Sequence, residues 1–420
     1  MAASLSTFGG SEAVPPVDSG LRYVARQPIL DARGTVHAYA LLFRGGPEQA
    51  LREMNEKAAG TMLDHAVVFG YERLTRGLPG FVSCTSELLN SGVVHLLPPR
   101  LTVLEIGETT QPTAQLMATC HLLKAAGFRL SFGNFCWERR FGPLMRMADF
   151  VKVDCDVLRM AGIEPLKQRA GGHATKWVAR NVNTHDDFLR AKGEGFTLFE
   201  GFYFCHPEVI KSHAIPANRL SQSRVLVYMH SRALDMHQLS ALVMQDAGLS
   251  YRLLRLVNSP LYPIRREVGS IEAALMVVGE EAFRRIVTLA LVSELNEGGS
   301  AELLRLALTR ARFCEMAAPL RGLDADEQYL LGMLSLLPAM LKMAMQDVAP
   351  ALPLRAPIRE ALLGAANQER QNLSWLEMYE RGEWGQVRRL TADSVMDEQQ
   401  FADMYLGAVL WAEMATECTP

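Results

Sequence analysis

From Leu21 to about Pro207 the chain alternates short apolar runs with amphipathic stretches of helical period. The runs predict strands at Arg22–Gln27, Val36–Phe43, Phe81–Cys84, Leu101–Ile106, Phe128–Phe132, Phe150–Val153, Trp177–Val182 and Leu198–Phe204. Helices are predicted between most of them, at Glu48–Leu74, Thr113–Ala126 and Thr184–Lys192. Asp31-Ala32-Arg33-Gly34 separates the first two strands, and such a cluster of turn formers predicts an antiparallel hairpin. Strands and helices in this alternation, within residues 21–212, predict a compact α/β barrel with an irregular start.

Beyond about His213 only the helical period remains, so residues 213–416 are expected to form a second, all-α domain. Leu249, Leu253, Leu256 and Val257 share one helical face, which Asn258-Ser259-Pro260 then terminates. Ser270 is placed to cap a helix that buries Ile271, Ala274, Leu275 and Val278, with Gly279 to end it. Phe283, Ile286, Val287 and Ala290 repeat the spacing, and further helices are predicted at 301–318, 326–346, 355–368 and 399–416. No Gly/Ser-rich linker separates the halves, so they are expected to pack together. Residues 1–20, MAASLSTFGGSEAVPPVDSG, read as a disordered tail with neither the basic start nor the apolar core of a secretion signal.

Composition narrows the function. Lys+Arg 43 against Asp+Glu 46 gives a net charge of −3, which argues against general nucleic-acid binding through phosphate attraction. The seven cysteines include no C-x-x-C pair and read as reduced thiols in a cytoplasm. The most apolar late stretch, Leu330 to Leu341, is shorter than the about twenty residues needed to span a bilayer. A buried helix and no membrane partner are expected. All ten histidines, from His37 to His237, precede residue 238, so no histidine-ligated metal site lies wholly beyond it.

Several segments of the first half then occur in a telling order. Ala25-Arg26-Gln27-Pro28-Ile29 looks like a Q-P-I strand, Tyr39-Ala40-Leu41-Leu42-Phe43-Arg44 like an E-x-L-x-R strand, and Leu104-Glu105-Ile106-Gly107-Glu108 like L-E-I-x-E. Val151-Lys152-Val153-Asp154 looks like K-I-D, and Phe199-Glu200-Gly201-Phe202-Tyr203-Phe204 with Pro207 like Q-G-Y-x-F…P. Together they resemble the EAL domain, the TIM-type barrel of cyclic di-GMP phosphodiesterases. That resemblance implies two Mg²⁺ or Mn²⁺ ions on carboxylates and an amide at the strand ends, activating a water against the phosphodiester. The departures are many. The signature glutamate is Ala40, the expected asparagine falls at Ser83, the D-D-F pair is Gly133-Asn134-Phe135, and A-E-G-V-E-T reads Ala179-Arg180-Asn181-Val182-Asn183-Thr184. Glu105, Lys152 and Asp154 remain of that set, and Gln27 and Arg44 match positions that contact the nucleotide.

The second half resembles the HDOD domain, a relative of the HD phosphohydrolases without their metal site. Gln245-Asp246-Ala247-Gly248-Leu249-Ser250-Tyr251-Arg252-Leu253-Leu254 looks like Q-D-P-x-L-S-x-R-L-L, and Leu256-Val257-Asn258-Ser259, Ser270 and Gly279 continue the pattern. Gly332-Met333-Leu334-Ser335-Leu336-Leu337 resembles the G-x-L-S-x-L helix of proteins in which an EAL-like domain precedes HDOD. The whole is expected to be a multidomain α/β plus all-α protein, an EAL-like barrel followed by an HDOD domain.

With so many metal carboxylates missing from the barrel and no histidine after residue 237 in the HDOD core, the expectation is no enzyme, no metal and no cofactor. Signal transduction would run through protein partners, in cyclic di-GMP-related regulation. A second reading makes the barrel a metal-independent cyclic di-GMP receptor through Gln27 and Arg44, and a third leaves it a residual phosphodiesterase. Structural readings stand beside these. Arg44 and Glu105 would satisfy each other or the backbone inside the barrel. Thr184 and Asp187 would cap a helix at the sequence's His185-Asp186 pair. Arg252, Arg255, Arg265, Arg266, Arg284 and Arg285 would be solvated helix faces more readily than an anion site.

Overall fold

The computed structural model describes residues 24–43, 71–107, 110–133, 141–161, 163–164, 167–168, 175–205 and 239–417, the last span with short gaps at 241–242, 245–246, 259–267, 297–299, 353, 393–395 and 397. The tail 1–20 and the predicted helix start at Glu48 lie outside these residues.

Eight strands close a barrel in chain order: β1 (Val24–Asp31), β2 (Val36–Phe43), β3 (Gly80–Cys84), β4 (Thr102–Ile106), β5 (Arg129–Phe132), β6 (Phe150–Asp154), β7 (Lys176–Arg180) and β8 (Leu198–Glu200). β1 is antiparallel to both its neighbours, β2 and β8, and the remaining pairs are parallel. The cause is the tight turn foreseen at Asp31–Gly34. Asp31 Oδ1 accepts from the backbone N–H groups of Arg33 and Thr35 at 2.8 and 2.9 Å, and Gly34 adopts φ 80°. β8 stops at Glu200, short of the predicted Phe204. Gly201 turns the chain there at φ 145°, where a Cβ would lie 2.2 Å from the Val182 carbonyl oxygen.

Ile29, Ala38, Ala40, Phe81, Val103, Phe150, Val178 and Leu198 fill the lumen. Outside the strands, α1 (Ala114–Ala125) and α2 (His185–Gly193) cover the barrel. Thr184 starts α2 with a capping box: its hydroxyl accepts from the Asp187 N–H at 3.1 Å, and the Asp187 carboxylate accepts from the Thr184 N–H at 3.3 Å. Such a cap contributes about 1 kcal/mol and accounts for the acids beside His185.

The second half contains α3 (Ala247–Val257), α4 (Ile271–Val278), α5 (Glu280–Leu295), α6 (Ala301–Ala317), α7 (Ala325–Leu334), α8 (Arg370–Glu380), α9 (Trp384–Ala392) and α10 (Glu398–Glu417). The helix predicted over 326–346 is broken. α7 ends at Leu334, a short helix Leu337–Leu341 follows, and Lys342 at φ 56° closes it. Pro338 is the cause, because it brings no N–H and disfavours helical geometry in the residue before it. The helix predicted over 355–368 shortens to Ala356–Leu362, and α8 and α9 were not foreseen. The buried side of α8 includes Asn372 and Glu380, which interrupt the apolar count. Among the described residues no helix is long and apolar enough to cross a membrane.

The halves share one buried seam along the outer side of the β1–β2 hairpin. The Ser300 hydroxyl donates to the Gly34 carbonyl at 2.8 Å, and the Tyr39 hydroxyl donates to Glu302 at 3.0 Å. Arg26 of β1 donates to the Leu74 carbonyl at 2.8 Å, pairs with Glu413 of α10 and lies over the Tyr39 ring at 4.7 Å. Glu413 also receives Arg76 at 2.9 Å and Arg305 of α6 at 3.1 Å. Burial opposes a charge on Arg26, but Tyr39, Glu413 and Glu302 outweigh it and hold the guanidinium protonated beyond its ordinary range. At the barrel's rim Gly382, at φ 71°, rests against Leu42, with room for a Cβ only at 3.0 Å from Leu42 Cδ1.

Candidate functional site at the barrel mouth

Strand geometry sets out the site. Val103, Phe150 and Leu198 point into the lumen from β4, β6 and β8, so the residue two further along each strand faces the same way. Those residues are Glu105, Lys152 and Glu200. On β2 the same step from Ala38 leads to Ala40. Alternate strands thus contribute one layer of four side chains across the barrel, as barrels of this type are packed.

Three members of the layer are charged and buried. Lys152 Nζ lies 2.7 Å from a carboxylate oxygen of Glu105 and 2.7 Å from one of Glu200, with its side chain only 2% exposed. The Phe81 ring forms a third side, its centroid 4.6 Å from the same nitrogen. Burial by itself would lower the Lys152 ammonium's pKa, but the two glutamates reverse that and leave it above the ordinary lysine value. Arg180, half-buried, reaches within 4.0 Å of Glu200 from β7.

The other expected residues are placed as follows. Gln27 is half-buried on β1 and pairs across the hairpin with Ala40. Arg44 lies outside the described residues. Glu105 has Lys152 as a partner. Asp154 closes β6 and starts the next helix, accepting from the Asp156 N–H at 2.9 Å and from the Asn181 side chain. Asn181 sits at φ 58°. Ser83 is exposed on the rim and Gly133 contributes only backbone. Glu200 was missed as a site residue. Its signal was a glutamate in the closing motif where the resembling sequences have glutamine.

In the helical half, Leu253 is fully buried and Leu254 is packed against the same core. Asn258 fastens the end of α3 to the chain beyond it. Its amide donates to the carbonyls of Leu254 and Val268 at 2.8 and 2.9 Å, and its oxygen accepts from the Val268 N–H at 2.7 Å. The Ser270 hydroxyl caps α4 by accepting from the Ala273 N–H at 3.1 Å, and Gly279 ends that helix at φ 81°. Asp246 and Ser259 lie outside the described residues, as do Arg265 and Arg266 of the arginine face. Arg285 of that face is paired with Glu315 at 2.5 Å.

The two divalent ions implied by the EAL resemblance do not fit this donor set. Each ion needs about six oxygen ligands. Here the described layer offers two carboxylates already joined by an ammonium, an alanine and a ring face. Among the described residues no three His, Cys, Asp or Glu side chains converge in a metal-binding group.

The HDOD domain family matches residues 215–369. CdgJ of Vibrio cholerae, named a cyclic di-GMP phosphodiesterase, is 28% identical over 398 residues, covering 93% of this chain and 92% of its own length. YuxH of Bacillus subtilis, an uncharacterized protein, is 26% identical over 400 residues, covering 93% of this chain and 97% of its own. Among solved structures, the EAL domain of Mycobacterium smegmatis DcpA matches 43% of this chain and 88% of its own at 20% identity and TM-score 0.33. Bacillus subtilis YkuI, a protein with an EAL domain in complex with cyclic di-GMP and calcium, matches 53% of this chain and 68% of its own at 16% identity and TM-score 0.34. The expectation that the chain is no enzyme is overturned by the relative with a phosphodiesterase name across nearly the full length. That expectation rested on the missing carboxylates and on the lack of histidine beyond residue 237, and turnover becomes a quantity to measure. An HDOD match follows the closed eight-stranded barrel, and both relatives align through the two halves, so the chain carries an HDOD domain behind a barrel, the architecture of the EAL–HDOD proteins it resembles.

Proposed function

We propose that the chain transduces signals in cyclic di-GMP-related regulation, in the cytoplasm, and that its helical half delivers the signal by contact with a protein partner. Residues 21–212 form the barrel unit of this proposal and residues 213–416 the delivering unit. One observation carries it. Of the seven large hydrophobic side chains left exposed among the described residues, four, Met244, Tyr251, Met276 and Val277, lie between positions 244 and 277. Met276 is 80% exposed and Val277 53%, side by side on α4. Scattered exposed apolar residues are ordinary, but a concentration on adjoining helices is what a partner surface requires. The name of the Vibrio relative supports the nucleotide circuit. Cross-linking in the native cell tests the contact. Met276→Ser with Val277→Ser is expected to weaken capture of the wild-type partners at least about tenfold, as removal of interface anchors does. An unchanged partner set would sink the proposal.

A second reading follows from Gln27, which pairs with Ala40 beside the charged layer. In it the barrel takes cyclic di-GMP as ligand or substrate, with Gln27, Arg44, Glu105, Lys152 and Asp154 facing the nucleotide. Calorimetry with cyclic di-GMP, with and without Mn²⁺, is expected to give a binding isotherm, and the same samples are assayed for linear product. Absence of both heat and product removes this reading.

A further inference from the structure

We infer that the barrel carries its own cation: Lys152 is the tethered ammonium of the lumen layer, and the layer is built for an ammonium and not for a divalent metal ion. The inference goes beyond the proposed function and does not depend on it.

The coordination of Lys152 Nζ carries the argument. Two carboxylates approach it at 2.7 Å each, from β4 on one side and β8 on the other. The third side is the face of Phe81 at 4.6 Å. A ring face has no lone pairs for a hard divalent ion, which demands oxygen ligands, but it attracts an ammonium through its quadrupole. The fourth member of the layer, Ala40, has no polar atom and packs with Phe81 in the lumen cluster. Two carboxylates alone would suit a divalent ion in charge, but the aromatic face and the methyl group beside them offer it no oxygen ligand, whereas both accommodate an ammonium. Apolar residues of the lumen cluster, Ala38, Val103, Phe150 and Leu198, precede the layer on each of its four strands. With the ammonium absent, two carboxylates would share a buried site and repel each other.

Tethering has a further chemical consequence. A bound metal comes and goes with its free concentration, and its site is stabilised by mass action. A lysine cannot dissociate, so the strand ends of β4, β6 and β8 are held together at every metal concentration.

Melting curves of the full chain, in excess chelator and in millimolar MnCl₂, test this. The wild-type midpoint is expected to be the same in both. Lys152→Ala removes the ammonium and leaves space between the two carboxylates. Its midpoint is expected to fall by roughly 10 °C in chelator and to stay there in Mn²⁺, because the ring face and Ala40 give a divalent ion no further oxygen ligands. Three results would overturn the inference. One is a Lys152→Ala midpoint equal to wild type in chelator. Another is recovery of about a third or more of the Lys152→Ala loss in Mn²⁺, which would show that the vacated layer accepts a divalent ion. The third is a Mn²⁺ gain by the wild type that disappears in Glu105→Gln. Should Lys152→Ala not fold, a cycle of Ala40→Glu and Glu200→Gln decides. Each alone is expected to lower the midpoint, by adding or removing a charge around Lys152. The pair together, which restores two carboxylates around one ammonium, is expected to melt above the sum of the two losses. Simple additivity would overturn the inference.

Discussion

Replacing Glu413 by glutamine is expected to destabilise the whole chain by about 3–5 kcal/mol, the usual consequence of removing one partner from a buried ion group. The carboxylate is 8% exposed and serves three guanidinium groups, those of Arg26, Arg76 and Arg305. Glutamine keeps the shape and removes the charge. Of the three arginines, Arg305 retains a second acid, Glu302 at 3.6 Å. Arg26 would keep its hydrogen bond to the Leu74 carbonyl, which supplies no compensating charge. Urea unfolding of the purified full chain measures the effect. Because the seam belongs to both halves, the variant is also expected to separate one unfolding transition into two. A change below about 1 kcal/mol, the range of an exposed pair, would show that the seam is solvated in solution.

The second large effect is expected at Gly332. A Cβ added there would lie 2.4 Å from the Arg310 carbonyl oxygen and 2.7 Å from the Ala311 Cα, so α6 and α7 touch backbone to backbone. Neither neighbour is a flexible side chain able to move aside. Gly332→Ala must separate the helices, and with them the pairing of Arg310 with Glu380 at 2.7 Å and Ser335 at 3.3 Å. The expected cost is about 3 kcal/mol, at the upper end of overpacking effects. Gly385 of α9 is the control, since a Cβ there meets nothing within 4 Å. Gly385→Ala should stabilise by about 0.5–1 kcal/mol through helix propensity. Thermal or urea unfolding of the two variants side by side checks the contrast, and equal midpoints would refute it.

These two positions illustrate what was legible in the chain. Gly332 belongs to a motif that was readable as a resemblance, but the physical reason for glycine emerges only when α6 lies against it. The strands were readable because parallel strands buried on both faces form continuous apolar runs. Val36–Phe43 was read with both ends in place. Leu198–Phe204 was overextended because Phe202 to Phe204 continue the apolar run past the turn at Gly201. Caps were readable at Thr184 and Ser270, since capping depends on neighbours three residues away. Glu413 was not. Its partners stand 387 and 108 positions away at Arg26 and Arg305, and no local period records such a pairing. The charged layer fell between these cases. Glu105 and Lys152 were named, but Glu200 was passed over because a motif match draws attention to agreement and the substitution was the informative part.

β1 belongs to two interiors at once. Arg26 projects into the seam with the helical half, while Gln27, the next residue, pairs with Ala40 of the lumen cluster. In a strand, side chains alternate strictly, so a slip of one residue would exchange the two. The unit that can be inherited or recombined is therefore not the barrel as a block. A chimaera that joins this helical half to another barrel must carry residues 24–43 across with it, and in doing so it imports two of the eight strands that shape the recipient's mouth.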